Sequence, residues 1–151
     1  MKIREYNQKD KDAVIDILRL NTPAYFSPDE EEDLKHYLEE EIEHYYVIEI
    51  DNNVVACGGF NLLDGGIRAA LSWDIIHPGY QGKGLGTNLT KFRIQRIKEI
   101  ETVKTISVRT SQFVYPFYEK CGLILREVKK DFWAEGYDMY FLSNDKDALP
   151  G

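Results

Sequence analysis

Cysteine is scarce in this chain. Cys57 and Cys121 are its only two, and their separation matches no metal-ligand spacing. So few cysteines exclude a disulfide framework and fit a reducing compartment, although two can still pair. Long apolar runs are also missing: nothing approaches the ~20 residues a helix needs to cross a bilayer. No early stretch joins a basic start to an uninterrupted apolar segment, so no signal peptide is expected and the expected location is cytoplasmic. Positive charge is in short supply, with 19 Lys and Arg against 26 Asp and Glu and a net charge of −7. That balance argues against nonspecific binding to nucleic acid or to anionic membranes. No repeat, low-complexity segment or linker divides residues 1–151, which read as one domain around one core.

Aromatic residues are plentiful: ten Tyr, seven Phe and two Trp supply large apolar bodies, many with polar tips. Charge is unevenly spread. From Ser27 to Asn53, eleven acidic residues face one basic residue, Lys35, a local net of −10. From His77 to Thr110, seven Lys or Arg face Glu99 and Glu101, a local net of +5. Charged stretches of this kind are most often solvated faces.

Periodicity predicts the element order β-α-α-β-β-β-α-β-α-β-β. Lys2 to Tyr6 alternates like a strand. Asn7 caps a helix, with Asp10 in its first turn and Ala13, Val14, Ile17 and Leu18 as its stripe. Pro23 and Pro28 mark a loop, and Asp29 to Glu43 reads as a strongly acidic helix. Tyr45–Ile50 and Val54–Leu62 read as strands joined by Asp51-Asn52-Asn53, and Ile67–Ile76 as a third strand ended by Pro78. A helix follows from about Gly84 to Glu101, with Leu85, Leu89, Phe92 and Ile100 as its apolar side. Then come a strand over Thr105–Arg109, a short helix capped by Gly122, and closing strands at Leu123–Val128 and Tyr137–Leu142. This is a mixed α/β arrangement.

The densest signal is Gln81-Gly82-Lys83-Gly84-Leu85-Gly86, between the third strand and the long helix. Three glycines in five positions suit a sharp turn that a ligand approaches closely. Unpaired amides and the positive dipole end of the following helix complete a cradle for phosphate oxygens. A P-loop is excluded, because Lys83 is followed by Gly84 and not by Ser or Thr. A dinucleotide fingerprint fails too: Thr87 stands where its third glycine belongs, and no acidic residue follows on the next strand.

What remains resembles the GNAT superfamily of acyl-CoA-dependent N-acetyltransferases. Gln-x-x-Gly-x-Gly stands at Gln81, Gly84 and Gly86, after the strand end Ile76-His77-Pro78. Downstream, Phe117-Tyr118-Glu119-Lys120-Cys121-Gly122-Leu123 is similar to the family's Phe-Tyr-x-x-x-Gly-Phe, with Leu123 in place of the last Phe. Each motif alone is weak. In this order, with one helix and one strand between them, they are specific over residues 67–125. The resemblance implies a central, mostly antiparallel sheet of six to seven strands, splayed in the middle and flanked by about four helices.

It also implies acetyl-CoA as acyl donor, no metal, and a small-molecule or peptide amine as acceptor, with a homodimer as an option. By the same resemblance Gln81, Gly82, Lys83, Gly84, Leu85, Gly86 and Thr87 hold the pyrophosphate. Backbone groups at Ile75 and Ile76 bind the pantetheine arm, and an amide there polarises the thioester carbonyl. Ser111 stands where the family often has an Asn on the pantetheine. Tyr118 matches the tyrosine that protonates the departing thiolate; its alternative is a core aromatic. Many members carry a Glu on the strand before the loop, but Ala69, Ala70 and Leu71 carry no such group here. Asp74 on the same strand is the first candidate for the general base, against the alternative of a charged strand-end residue pairing with a neighbour. His77 ranks below it. Cys121, just before a capping glycine, reads as an ordinary buried thiol and not as an acyl carrier. The acidic helix and Tyr25, Phe26, Trp73, Phe132, Trp133 and Tyr137 fall in regions that flank the family's acceptor cleft. Two other functions stay open: a degenerate acyl-CoA sensor without turnover, and an interaction protein that grips a basic partner with its acidic helix.

Overall fold

A computed structural model describes all 151 residues. Strand β1 (Lys2–Glu5) leads into α1 (Lys11–Leu20) through a reciprocal cap. The Asn7 side chain accepts from the Lys9 amide, and Asp10 returns to accept from the Asn7 amide, both at 2.9 Å. Asp10 also takes two hydrogen bonds of 2.8 Å from Arg4, which fastens the helix start to β1. The predicted acidic helix is shorter than expected: α2 covers Glu30–His36, and a π-helical turn over Tyr37–Glu41 ends it.

Strands β2 (His44–Ile50) and β3 (Asn53–Leu63) form a hairpin whose tight turn is Asp51-Asn52. Both residues have positive φ, 52° and 66°, the conformation that twists two strands correctly into each other. Next come β4 (Arg68–Ile76), α3 (Leu85–Lys98), β5 (Thr105–Thr110), α4 (Tyr115–Lys120), β6 (Ile124–Ala134) and β7 (Tyr137–Asp145). Ile100, expected on the apolar side of α3, lies beyond its end. Pro116 falls in the first turn of α4, where its missing amide hydrogen has no helical partner to lose. Gly122, at φ 102°, closes that helix: its amide bonds to Glu119 O and the Leu123 amide to Tyr118 O.

The seven strands make one sheet in the order β1-β2-β3-β4-β5-β7-β6. Every neighbouring pair is antiparallel except β4 with β5, which is parallel. Helices cover both faces. Val14, Leu18, Leu34, Val47, Cys57 and Ile75 form the core under α1 and α2. Ile48, Phe60, Leu89, Ile97, Ile106 and Leu142 form the core under α3. Burial on both faces is why β2 and β3 read as near-continuous apolar runs. No helix is long and apolar enough to cross a membrane.

Two irregularities in β4 place the site. The first is a bulge: Cys57 pairs with Ile75 and Gly59 with Ser72, so Trp73 and Asp74 together face Gly58. Trp73 takes φ 48°, and Tyr45 Oη fixes the kink by donating to Trp73 O at 2.7 Å. The extra residue reverses the strand's alternation. Leu71 and Ile75 have the same parity yet lie in opposite cores, and Asp74 is turned toward α3. The second is a splay: β4 and β5 pair only from Arg68↔Thr105 to Leu71↔Val108, although β4 runs on to Ile76.

A Cβ on Gly58 would collide with Asp74 Oδ1 and press on Leu89 and Arg93. Gly58→Ala is therefore expected to destabilise the fold by about 1–3 kcal/mol, the usual cost of overpacking, measured by urea unfolding.

Candidate active site

The splay opens a cleft of about 780 Å³ that reaches through the sheet. Tyr25, Phe26 and Trp73 line it on the α1–α2 side, and Gly86, Phe117 and Tyr118 on the α3 side.

At its α3 mouth the loop after β4 turns through Gly82 and Gly84, at φ 77° and 78°. A Cβ built at either position would meet nothing within 4 Å, so the concave side is open to a ligand. The backbone amides of residues 82–87 make no hydrogen bond within the protein; the first amide with a partner is that of Asn88, on Gly84 O at 3.0 Å. Six successive donors at the start of a fourteen-residue helix form the arrangement that binds phosphate oxygens. Lys83 lies beside them, with its Nζ 5.3 Å from the Tyr80 ring centroid. Gly86 sits under the Phe117 ring, with 3.4 Å from its notional Cβ to the ring edge. His77 shapes the turn locally, where its Nδ1 accepts from the Gly79 amide at 2.9 Å.

The His77 amide bonds to Val55 O at 2.8 Å. Strand alternation then turns the backbone polar groups of Ile76 away from β3, toward the cleft. The Ile76 carbonyl is held there by Asn21 Nδ2 at 2.9 Å, a bridge from the end of α1. Ile75 is only 1% exposed, and its side chain belongs to the α1–α2 core. Ser111 borders the cleft, and its hydroxyl accepts from the Phe113 amide at 3.3 Å.

Deeper in the cleft, Asp74, Arg93 and Tyr118 form a linked set. Arg93 is fully buried, and all five of its N–H groups have acceptors. Nε donates to Leu89 O at 3.3 Å, and Nη1 to Gly59 O at 2.9 Å and to Asp74 Oδ1. Nη2 donates to Asp74 Oδ2 at 2.8 Å and to Thr90 Oγ1 at 3.2 Å. Tyr118 Oη donates to the same Oδ2. Burial and the nearby Asp74 charge push the Tyr118 phenol well above its ordinary value. Burial alone would favour a neutral Arg93, but Asp74 outweighs it and raises the guanidinium. Of the two sequence readings of Asp74, a general base or a strand-end carboxylate paired with a neighbour, the geometry shows the pairing: both oxygens are engaged.

In the sequence Arg93 reads only as one cation of a basic segment. Its signal is position: Leu85, Leu89, Arg93 and Ile97 recur every four residues on the buried side of α3. Both cysteines are free; burial pushes Cys57 up to about 12, and Cys121 is half-buried. Of the aromatic candidates, Tyr25, Phe26, Trp73 and Trp133 line the cleft and Phe132 and Tyr137 do not. No three His, Cys, Asp or Glu side chains converge in a way that could hold a metal.

The profile of the Acetyltransferase (GNAT) family matches residues 11–123. The chain belongs to this family. A relative from Pyropia yezoensis, named as an uncharacterised N-acetyltransferase, is 38% identical over 73 residues, which span 46% of this chain and 41% of that protein. An aminoglycoside 6'-N-acetyltransferase solved with coenzyme A superposes with a TM-score of 0.78 at 17% identity, covering 100% of both chains. The loading GNAT-like domain of CurA from Lyngbya majuscula gives 0.82 at 15% identity, covering 97% of this chain and 98% of that one. At these identities the two structures attest the fold.

Removing one partner of a buried ion pair strands the other. Arg93→Met is therefore expected to cost about 3–5 kcal/mol, and the double variant Arg93→Met with Asp74→Leu less than Arg93→Met alone. Urea denaturation of both variants checks this.

Proposed function

We propose that the protein transfers an acetyl group from acetyl-CoA to a primary amine in a direct, ternary-complex reaction. The observation that carries this reading is the run of unpartnered amides from Gly82 to Thr87 at the open turn before α3. Acetyl-CoA supplies an activated acyl thioester and, in its pyrophosphate, an anion matched to that turn. Gln81, Gly82, Lys83, Gly84, Leu85, Gly86 and Thr87 hold the pyrophosphate, Lys83 mainly by charge. The backbone at Ile75 and Ile76, together with Ser111, holds the pantetheine arm along the splayed edge of β4. An amide of that edge polarises the carbonyl where negative charge develops.

Tyr118 is the proton donor to sulfur. Its hydroxyl faces the cleft floor, and turning from Asp74 toward the thiolate strands nothing, because Asp74 keeps both bonds from Arg93. Asp74 thereby orients Tyr118, and the base duty expected of it passes elsewhere. A metal-free reaction in the cytoplasm belongs to the same proposal. The engaged oxygens of Asp74 favour one second reading, an acyl-CoA sensor without turnover. Thiol release from acetyl-CoA across a panel of primary amines separates the two.

Gly84→Glu brings bulk, negative charge and a strained φ into the cradle, and acetyl-CoA affinity is expected to fall at least ~100-fold by calorimetry. Affinity within about threefold of wild type would refute the pyrophosphate assignment. Tyr118→Phe is expected to lower kcat about 100-fold with little change in coenzyme KM. Because the phenol's pKa is raised, it stays protonated through the range where an ordinary tyrosine ionises. Wild-type kcat is therefore expected to show no alkaline fall in that range, as read from a pH–rate profile.

A further inference from the structure

Glu30, the first residue of α2, combines burial with a free carboxylate oxygen. The residue is 7% exposed and borders the cleft on the α1–α2 side. One oxygen, Oε2, accepts from the Ser27 amide at 2.8 Å, and the Glu30 amide bonds back to Ser27 O at 3.0 Å. Oε1 has no donor within the protein. No unpartnered side-chain oxygen is sealed from solvent, so Oε1 keeps an exposed surface. That surface lies on a residue that borders the cleft.

Its setting suits a cation. Phe26 and Trp73, stacked with centroids 6.3 Å apart, border the same cleft, as does Tyr37, whose ring centroid is 6.4 Å from that of Trp73. Glu41 adds a second carboxylate at the rim. Arg68 and Arg109 also border the cleft, on β4 and β5. The pyrophosphate turn lies at the other mouth, across the sheet, so Glu30 faces the approach that the coenzyme leaves open. Burial raises the Glu30 pKa; the Ser27 amide opposes this and Asp33, one turn on, adds to it. A carboxylate so placed is a stronger proton acceptor than an exposed glutamate.

We infer that Glu30 Oε1 receives the ammonium of the acceptor and takes its proton. This rests on the acetyltransferase reading above and names the residue that reading lacks. One ammonium proton passes to Oε1, directly or through one water, which frees the nitrogen lone pair. That pair forms the C–N bond as the C–S bond breaks. The sulfur leaves with the bonding electrons and takes its proton from Tyr118. Glu30 and the nitrogen release one proton each to water, Tyr118 regains one, and the net products are amide, thiol and one proton. The acceptor class is a primary alkylammonium, recognised by one carboxylate within an aromatic wall.

The test is Glu30→Gln, which keeps an oxygen for the Ser27 amide. Acetyl-CoA affinity, read by calorimetry, is expected to stay within about twofold of wild type. Thiol release is then followed at about pH 7.5 with two probes: n-butylamine, an ammonium at that pH as a lysine side chain is, and methoxyamine, a weak base already neutral there. For Glu30→Gln the n-butylamine rate is expected to fall at least ~100-fold, within the range of general-base effects, and the methoxyamine rate less than about threefold. Equal losses with both probes, an n-butylamine rate above about one tenth of wild type, or no turnover of n-butylamine by wild-type protein that binds acetyl-CoA would overturn the assignment. Failure of wild-type protein to bind acetyl-CoA would instead remove the reading beneath it.

Discussion

A guanidinium shut away from water sets the terms for this structure. Ionised groups are costly to bury unless every hydrogen finds an acceptor and an opposite charge lies in contact. Arg93 meets both conditions by drawing on three elements: Gly59 O of β3, Asp74 of β4, and Thr90 and Leu89 O of its own helix. Tyr118 of α4 joins through Asp74. Four elements thus converge on one charge pair at the floor of the cleft. The bulge makes the meeting possible, because without the extra residue in β4 Asp74 would point to the other face. Gly58 makes it sterically allowed.

Much of the fold was legible because it is written in local patterns. The element order follows from strand alternation, the α1 stripe, the turn read at Asp51-Asn52-Asn53 and the Gly122 cap, each a matter of a few neighbouring residues. The open turn before α3 was legible for the same reason: φ-permissive glycines followed by a helix. What stayed hidden depends on phase and pairing. Nothing near Trp73 announces a bulge, and the Gly58-Gly59 pair that accommodates it lies on another strand. The sequence leaves Asp74 open between a general base and a paired strand-end carboxylate, because its partner is nineteen residues away on α3. Glu30 is lost there in a run of acidic residues, and its hydrogen bond from the Ser27 amide is seen only in the structure.

The uneven charge of the chain acquires a spatial meaning. Glu30 and Glu41, from the acidic stretch, border the cleft together with Arg68 and Arg109, while Lys83 and the free amides stand at the turn before α3. Under the proposed reaction, a cleft that runs through the sheet gives coenzyme and amine separate entrances. Asn21 adds a mechanical link between the sides, since one amide group holds both Ile17 O in α1 and Ile76 O at the end of β4.

The short parallel seam between β4 and β5 has its own consequence. Only four residue pairs, Arg68↔Thr105 to Leu71↔Val108, stitch the first half of the sheet to the second. Past that point the two lips are separated by ligand-sized space, and their spacing is governed by side-chain packing and sheet twist. No ladder bond therefore fixes the width of the gap, while the Arg93–Asp74 pair clamps its floor.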